Sequence, residues 1–262
     1  MPRERPLDDE QRRSWVEDGF FRLDGFVDPT VGLAMQERVV ELARAAAAGD
    51  DVGGALVLPE QQPGLGERAN PEDLLSKVFL LAREPAFHAF VTDPAVTGVV
   101  AELVGTDELD CFLSQFIFKN PGAWGQPWHQ DSWYFPFEPA RPVVGVWLAV
   151  SRATLDNGCL HVVPGSHLEP VHHHVPDRRE SANYGYVEIV DHDMSAAVPV
   201  LMEPGDVLVF DSHLMHRSTD NLSTDRRAAM VFHLAAAGTL DHTVELRGYT
   251  VNDWMPARRA ST

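Results

Sequence analysis

The sequence predicts a mixed α+β fold, mainly β with helices: a double-sheet jelly roll braced by helices on one side. Three observations carry this reading. Helical periodicity with capping signals fills the first third of the chain, and beyond Leu109 it gives way to short runs rich in Val, Ile, Leu and Phe. Glycine and proline turns punctuate those runs, as they do where short strands fold back on one another.

In chain order, Asp8 and Asp9 can cap a helix carrying Trp15 and Val16, with Gly19 closing it. FFRLDGFV then alternates like a short strand. From Asp28-Pro29 to Ala48 the apolar positions Val31, Ala34, Met35, Val39, Leu42 and Ala46 follow helical spacing, and Gly49 is the stop. Residues 49–72 are rich in Gly and Pro without sustained periodicity, which predicts a long loop of the lid type with room for one strand. Helices are expected again over Leu74–Ala89 and Pro94–Val104, the second behind Thr92-Asp93 with Pro94 at its first position.

The strands expected after Leu109 are CFLSQFIFK, VVGVWLAV, GCLHVVPG, VPVLM, DVLVF and AAMVFHLAA. Asn120-Pro121-Gly122, Asp156-Asn157-Gly158, Pro164-Gly165 and Pro204-Gly205 supply turns between them. No repeat or low-complexity linker divides the chain. One domain is therefore expected over residues 1–262, with 1–108 mainly helical support plus the lid loop and 109–250 the jelly-roll core.

Composition narrows the function. The chain has 262 residues, 44% of them hydrophobic, and 39 acidic against 21 basic residues give a formal charge of -18. Such a charge repels phosphate backbones and anionic membranes, so neither nucleic acid nor a membrane is an expected partner. A small-molecule substrate is, with the protein a monomer or weak homo-oligomer. Cys111 and Cys159 are the two cysteines and both lie in apolar stretches, which suggests buried thiols instead of a disulfide framework. The N-terminal MPRERPLDDEQRR lacks a secretory apolar run, and no segment reaches the roughly 18 apolar residues of a membrane span, so the expected location is cytoplasmic.

The chemistry concentrates in His129-Gln130-Asp131, within PWHQDSWYF, and in His216, within GDVLVFDSHLMHRS. In a strand, residues i and i+2 share a face, so His129 and Asp131 can point into one cavity while Gln130 points away. His216 follows the strand Val207–Phe210, where a barrel mouth would set it opposite that pair. Two imidazoles and one carboxylate hold one face of a non-haem ferrous ion and leave the other face open. His213 is a competing ligand on the same segment. His161, His167 and the run His172-His173-His174 also attract a metal reading, but three consecutive side chains cannot converge on one ion, and an exposed loop is expected there.

The ordered set WHQD, NGCLHVVPGSH, the GD turn before His216, and an arginine after it resembles the phytanoyl-CoA dioxygenase family of iron(II)- and 2-oxoglutarate-dependent oxygenases. The resemblance runs from DGFFRLDGFV to His233 and is dense from Gln115 onward. It implies a cupin-like, double-stranded β-helix with the metal at its open end, held by His129, Asp131 and His216, the catalytic residues. Spacing from the GD turn and the following Ser218 favours His216 over His213.

The implied cofactors are Fe(2+), 2-oxoglutarate as co-substrate and O2, with ascorbate as a stimulant. Arginine suits the distal carboxylate of 2-oxoglutarate because its planar fork makes two parallel hydrogen bonds. Arg227 matches the family's anchor, though Arg226 is adjacent and a one-residue shift of register would exchange them. By similarity Gln115, Trp147 and Lys77 are further contacts, and Ser218 can donate a hydroxyl to the same carboxylate. The alternatives for these are a solvent-facing strand residue, a core aromatic and a surface helix lysine.

Trp133, Tyr134 and Phe135 are candidates for lining the substrate cavity or for packed core, and Trp124 and Trp128 suit its mouth. The reaction implied is oxidation, foremost hydroxylation, of a C–H bond with release of succinate and CO2. The intact Asp131 separates the chain from related halogenases, which lack that carboxylate. Two other readings stay open: a cupin-like zinc hydrolase or isomerase using the same ligands, and a non-catalytic binding module.

Overall fold

The computed structural model describes residues 6–60, 62, 68–179 and 185–260. Its first elements are α1 (Asp9–Glu17), β1 (Phe20–Leu23), α2 (Pro29–Ala48), β2 (Leu56–Pro59), β3 (Leu75–Phe79), α3 (Pro85–Val91), α4 (Pro94–Val104) and β4 (Leu109–Lys119). There follow β5 (Phe137–Glu138), β6 (Val143–Ala149), β7 (Leu160–Val162), β8 (His174–Pro176), β9 (Val187–Ile189), β10 (Val198–Val200) and β11 (Val207–Asp211). The chain ends with β12 (His216–Ser218), β13 (Arg227–Ala236), β14 (Leu240–Asp241), α5 (Thr243–Arg247) and β15 (Met255–Arg258).

The helix ends follow the capping chemistry. Asp8 alone caps α1, accepting from Gln11 N at 2.8 Å while Gln11 returns a bond to Asp8 N. Asp28 caps α2 and Asp93 caps α4, each followed by proline. Along α2 the buried positions are Gly32, Met35, Val39, Leu42 and Ala43, whereas Ala34 and Ala46 face solvent. The apolar stripe thus lies slightly rotated from the expected one.

A large antiparallel sheet, in the order β1-β11-β6-β13-β4-β3-β2 with β15 also on β4, faces a smaller sheet, β10-β7-β12. This is the expected jelly roll. Alternation along the strands sorts the core into two layers. Val144, Val146 and Leu148 of β6, with Met230 and Phe232 of β13, pack on Met35, Val39, Phe87, Phe90 and Val96 of the helices. Trp147 and Val231 instead face Leu160, Val162 and Val200 of the small sheet. Each such buried side chain contributes about 1.5–3 kcal/mol, so the helices are half of a core and not decoration.

One expected helix forms only at its C-terminal end. Leu74–Ala89 begins as a strand, because β3 is inserted between β2 and β4 with Leu75, Ser76, Lys77 and Val78 all buried. A left-handed Leu80 (φ 66°) then turns the chain before Pro85 opens the short α3. The expected loop over 49–72 does carry one strand, β2; residues 61 and 63–67 of it lie outside the described residues. No single helix among the described residues is long and apolar enough to cross a membrane.

Candidate active site

His129 and His216 are joined by a reciprocal backbone bridge, each N–H donating to the other's carbonyl at 3.0 Å. Both imidazoles therefore come from one edge of the small sheet and lie side by side, with ring centroids 4.1 Å apart, instead of facing each other across a mouth. Asp131, by contrast, is not in a strand. It opens a single helical turn, Asp131–Trp133, anchored by Ser132 N donating to Ser212 O at 2.9 Å. Gln130 does point away, its amide bound to the carbonyls of Pro170 and His213.

The three candidate ligand atoms lie within 4.8 Å of one another, and all three residues are buried. Asp131 Oδ1 is 3.5 Å from His129 Nε2 and 3.8 Å from His216 Nε2. The remaining ring nitrogens settle the tautomers. His129 Nδ1 faces Pro127 O at 2.7 Å and His216 Nδ1 faces Leu214 O at 2.9 Å. A carbonyl only accepts, so both Nδ1 atoms carry protons and both Nε2 lone pairs face the cavity. Burial, and then His129, push the His216 imidazole down to about 4, which keeps it neutral near pH 7.

His233 completes the arrangement, and sequence reasoning assigned it no role. Its Nε2 donates to Asp131 Oδ2 at 2.8 Å, fixing the carboxylate so that Oδ1 is left for a metal. Burial opposes the charge on Asp131, yet the imidazoles around it and the hydrogen bond from His233 hold its carboxyl well below the usual range. A signal for His233 did exist. Arg227 and His233 lie on β13 at an even separation, so both project to the cavity face. Replacing His233 by alanine is expected to weaken ferrous-ion binding roughly 10–100-fold, measured by titration under anaerobic conditions, with the thermal midpoint as the check on folding.

Arg227 is 1% exposed, and one of its terminal nitrogens donates to Gly158 O at 3.1 Å. Its Nε and other terminal nitrogen are buried with no hydrogen-bond partner among the described residues. Burial lowers its guanidinium to about 10, still charged at neutral pH. Directly across the strand pair lies Lys119, also buried, whose ammonium donates to Ser218 Oγ at 2.8 Å and to Thr219 O at 2.5 Å. Burial and then Arg227 hold that ammonium well below its ordinary value. Buried cations are costly unless an anion pairs with them, and two so close together suit a carboxylate ligand.

The glycine at 158 is required: a Cβ there would lie 2.5 Å from Thr219 O and 2.6 Å from Lys119 Cδ. Arg226 is out of contention, bound to Asn120 and Asp73 and stacked over Phe118 on the helix side of the sheet. Ser218 Oγ accepts from Lys119 and from Gln126 N, so its own proton is free to be donated. Lys77 is a buried strand residue and not a surface helix lysine. Its ammonium donates to Gln126 Oε1 at 3.2 Å and sits 4.6 Å over the Tyr186 ring, and burial lowers it to about 8.

One cavity of about 330 Å³ is lined by the triad, Arg227, Lys77, Gln115, Trp147 and Ser218 together. Tyr134 and Phe135 also line it, as does Trp124. Trp133 does not; it packs against His174 and under Arg247, because the helical turn at Asp131 rotates its side chain outward. Trp128 lines a separate open groove beneath Arg217.

The other histidines are placed elsewhere. His213 is buried against Glu169 O and is not among the converging ligands. His167 packs on Gly19, whose Cβ would lie 2.4 Å from that ring. His161 is half-buried beside the open groove. The run at 172–174 is not a uniformly exposed loop: His173 is exposed, His172 pairs with Glu169, and buried His174 accepts from Gln130 N.

Curated relatives align with most of this chain, which spans about three quarters of their length. The probable phytanoyl-CoA dioxygenase of Caenorhabditis elegans is 29% identical over 239 residues, covering 87% of this chain and 75% of the relative. The peroxisomal phytanoyl-CoA dioxygenase of Bos taurus is 29% identical over 245 residues, with 91% and 71% covered. Solved structures agree in fold at lower identity. The epimerase SnoN, in complex with Fe3+, alpha-ketoglutarate and nogalamycin RO, superposes with a TM-score of 0.66 at 18% identity over 89% of this chain and 85% of that one. EvdO2 from Micromonospora carbonacea var. aurantiaca, complexed with 2-oxoglutarate, has a TM-score of 0.64 at 20% identity, with 92% and 95% covered. The family model of phytanoyl-CoA dioxygenase (PhyH) matches residues 15–229, and on that match the chain belongs to the phytanoyl-CoA dioxygenase family of iron- and 2-oxoglutarate-dependent oxygenases.

Proposed function

We propose that this oxygenase hydroxylates a C–H bond of a small organic substrate, with His129, Asp131 and His216 holding the iron and Arg227 anchoring the distal carboxylate of 2-oxoglutarate. The observation that carries the reading is the pair of buried guanidinium nitrogens of Arg227, without a hydrogen-bond partner among the described residues, in the same cavity as the triad. A zinc hydrolase would use the three ligands but would have no need of that anchor. With both groups bound, the site supplies oxidative decarboxylation of 2-oxoglutarate to succinate and CO2, with one oxygen atom of O2 passing to the substrate.

The remaining work belongs to this chain's own side chains. Two neutral imidazoles and one carboxylate leave one face of the metal position open. His233 keeps Asp131 from rotating, and Ser218 and Lys119 share the anion subsite with Arg227. Lys77, Gln115 and Trp147 border the space between that subsite and the triad. Leu113, Ile117, Tyr134 and Phe135 give the cavity an apolar wall that excludes water and suits a cyclic or apolar substrate. A carboxylate at position 131 supports oxygen transfer over halogenation, since no ligand position is given up to a halide.

Solved neighbours include an epimerase and the carbocyclase SnoK, so this fold accommodates outcomes other than hydroxylation. The test is a screen of small metabolites for stimulated succinate release in the presence of ferrous iron, 2-oxoglutarate, ascorbate and O2, with product mass read in parallel. A mass gain of one oxygen is the expected result. Turnover that is indifferent to 2-oxoglutarate would replace this reading with the hydrolase.

A further inference from the structure

A second group of metal-type ligands lies apart from the triad. Glu169, His172 and His192 each offer one ligand atom, all within 4.8 Å of one another. His172 Nε2 is 2.8 Å from Glu169 Oε2, and His192 Nε2 is 3.2 and 3.3 Å from the two carboxylate oxygens. The two rings stand edge to face, with centroids 5.1 Å apart and planes at 86°. Three separated positions supply the set: Glu169 follows the helical turn Ser166–Leu168, His172 precedes β8, and His192 follows β9.

We propose that Glu169, His172 and His192 form a second, peripheral site for a borderline divalent cation such as zinc, distinct from the catalytic metal. Zinc bonds of about 2.0–2.1 Å in tetrahedral geometry hold neighbouring ligand atoms about 3.3 Å apart. The carboxylate–imidazole separations here already fall near that value, so small side-chain rotations close the set on an ion. Two imidazole nitrogens with one carboxylate oxygen is a donor set of the zinc type, with further positions left to water. All three groups are partly buried, which limits competition from solvent. Glu169 is held as the anion: burial opposes its charge, but bonds from His172 and His192 keep its carboxyl below the usual range.

The site is tied by backbone to the catalytic segment. His172 N donates to Gln130 Oε1 at 2.8 Å, and His172 O accepts from His174 Nδ1 at 2.8 Å. His174 Nε2 in turn accepts from Gln130 N at 3.1 Å. Gln130 stands between the ligands His129 and Asp131, so an ion on His172 stiffens the loop that clamps it.

The experiment is equilibrium dialysis of the full chain against zinc chloride, followed by metal analysis. The wild type is expected to retain two equivalents per chain. His172→Asn with His192→Asn is expected to retain one, and His129→Asn with His216→Asn also one, which keeps the outcome separate from any statement about the oxygenase reaction. Glu169→Gln, which keeps the side-chain volume, should weaken the second equivalent by more than the roughly 10–100-fold that loss of an outer hydrogen bond costs a metal site. Zinc should also raise the thermal midpoint of the His129/His216 variant, by mass action on its native state. A wild-type stoichiometry of one, or a second equivalent that persists when His172 and His192 are replaced, overturns the proposal.

Discussion

Asp131→Ala is expected to lower succinate formation at least about a thousandfold, equivalent to about 4 kcal/mol of lost transition-state stabilisation. Two imidazoles alone give iron a weak, uncharged hold, and the anion that balances the metal is gone. The loss should appear both with and without substrate. His216→Ala should behave alike, since its Nε2 lone pair faces the same point. Asp131→Asn separates chemistry from folding. An asparagine carbonyl can still accept from His233, so the thermal midpoint should hold while bound iron falls. Normal turnover by Asp131→Ala would remove the ligand assignment.

The second large effect is expected at Arg227. Arg227→Met should raise the dissociation constant of 2-oxoglutarate by about 100-fold or more, because removing one partner of a buried ion pair typically costs about 3–5 kcal/mol. Arg227→Lys keeps a charge but loses the two-pronged geometry, and should fall between the methionine variant and the wild type. Calorimetry with Mn(II) in the absence of O2 reads this without turnover. The kcat at saturating 2-oxoglutarate should fall less than the affinity does. Folding supplies an independent check. Arg227 lies across the strand pair from buried Lys119 and helps to hold its ammonium below the ordinary value, so the methionine variant removes a costly buried charge and should not lower the thermal midpoint of the free protein. Marked destabilisation together with unchanged 2-oxoglutarate affinity would make Arg227 a structural residue.

The sequence showed the jelly roll most clearly where each strand has one face on the helices and one on the cavity. β13 is the plainest instance: alternation decides between Arg226 and Arg227 once the strand's phase is known, and it places His233 as well. β3 was misread because strands pair with it on both sides and Leu75–Val78 are all buried, leaving no alternation to distinguish it from a helix. Trp133 was misplaced for a related reason. Strand geometry was assumed for the HxD segment, whereas a bond from Ser132 to Ser212 bends it into a turn.

What the sequence determined by itself was the set of candidates for metal ligand and anchor, since residue type limits which side chains can bind iron or grip a carboxylate. The ordered spacing of His129, Asp131, His216 and Arg227 was enough to single out four residues that the fold brings to one cavity. Only the tertiary structure decided how they meet: that the two imidazoles share one sheet edge, that His233 sets the carboxylate, and that Lys119 faces Arg227. It alone brought Glu169, His172 and His192 together. The physical reason is that each of these contacts is made by chain segments joined through long-range strand pairing, and local periodicity reports which face a residue takes but not which distant residue it will find there.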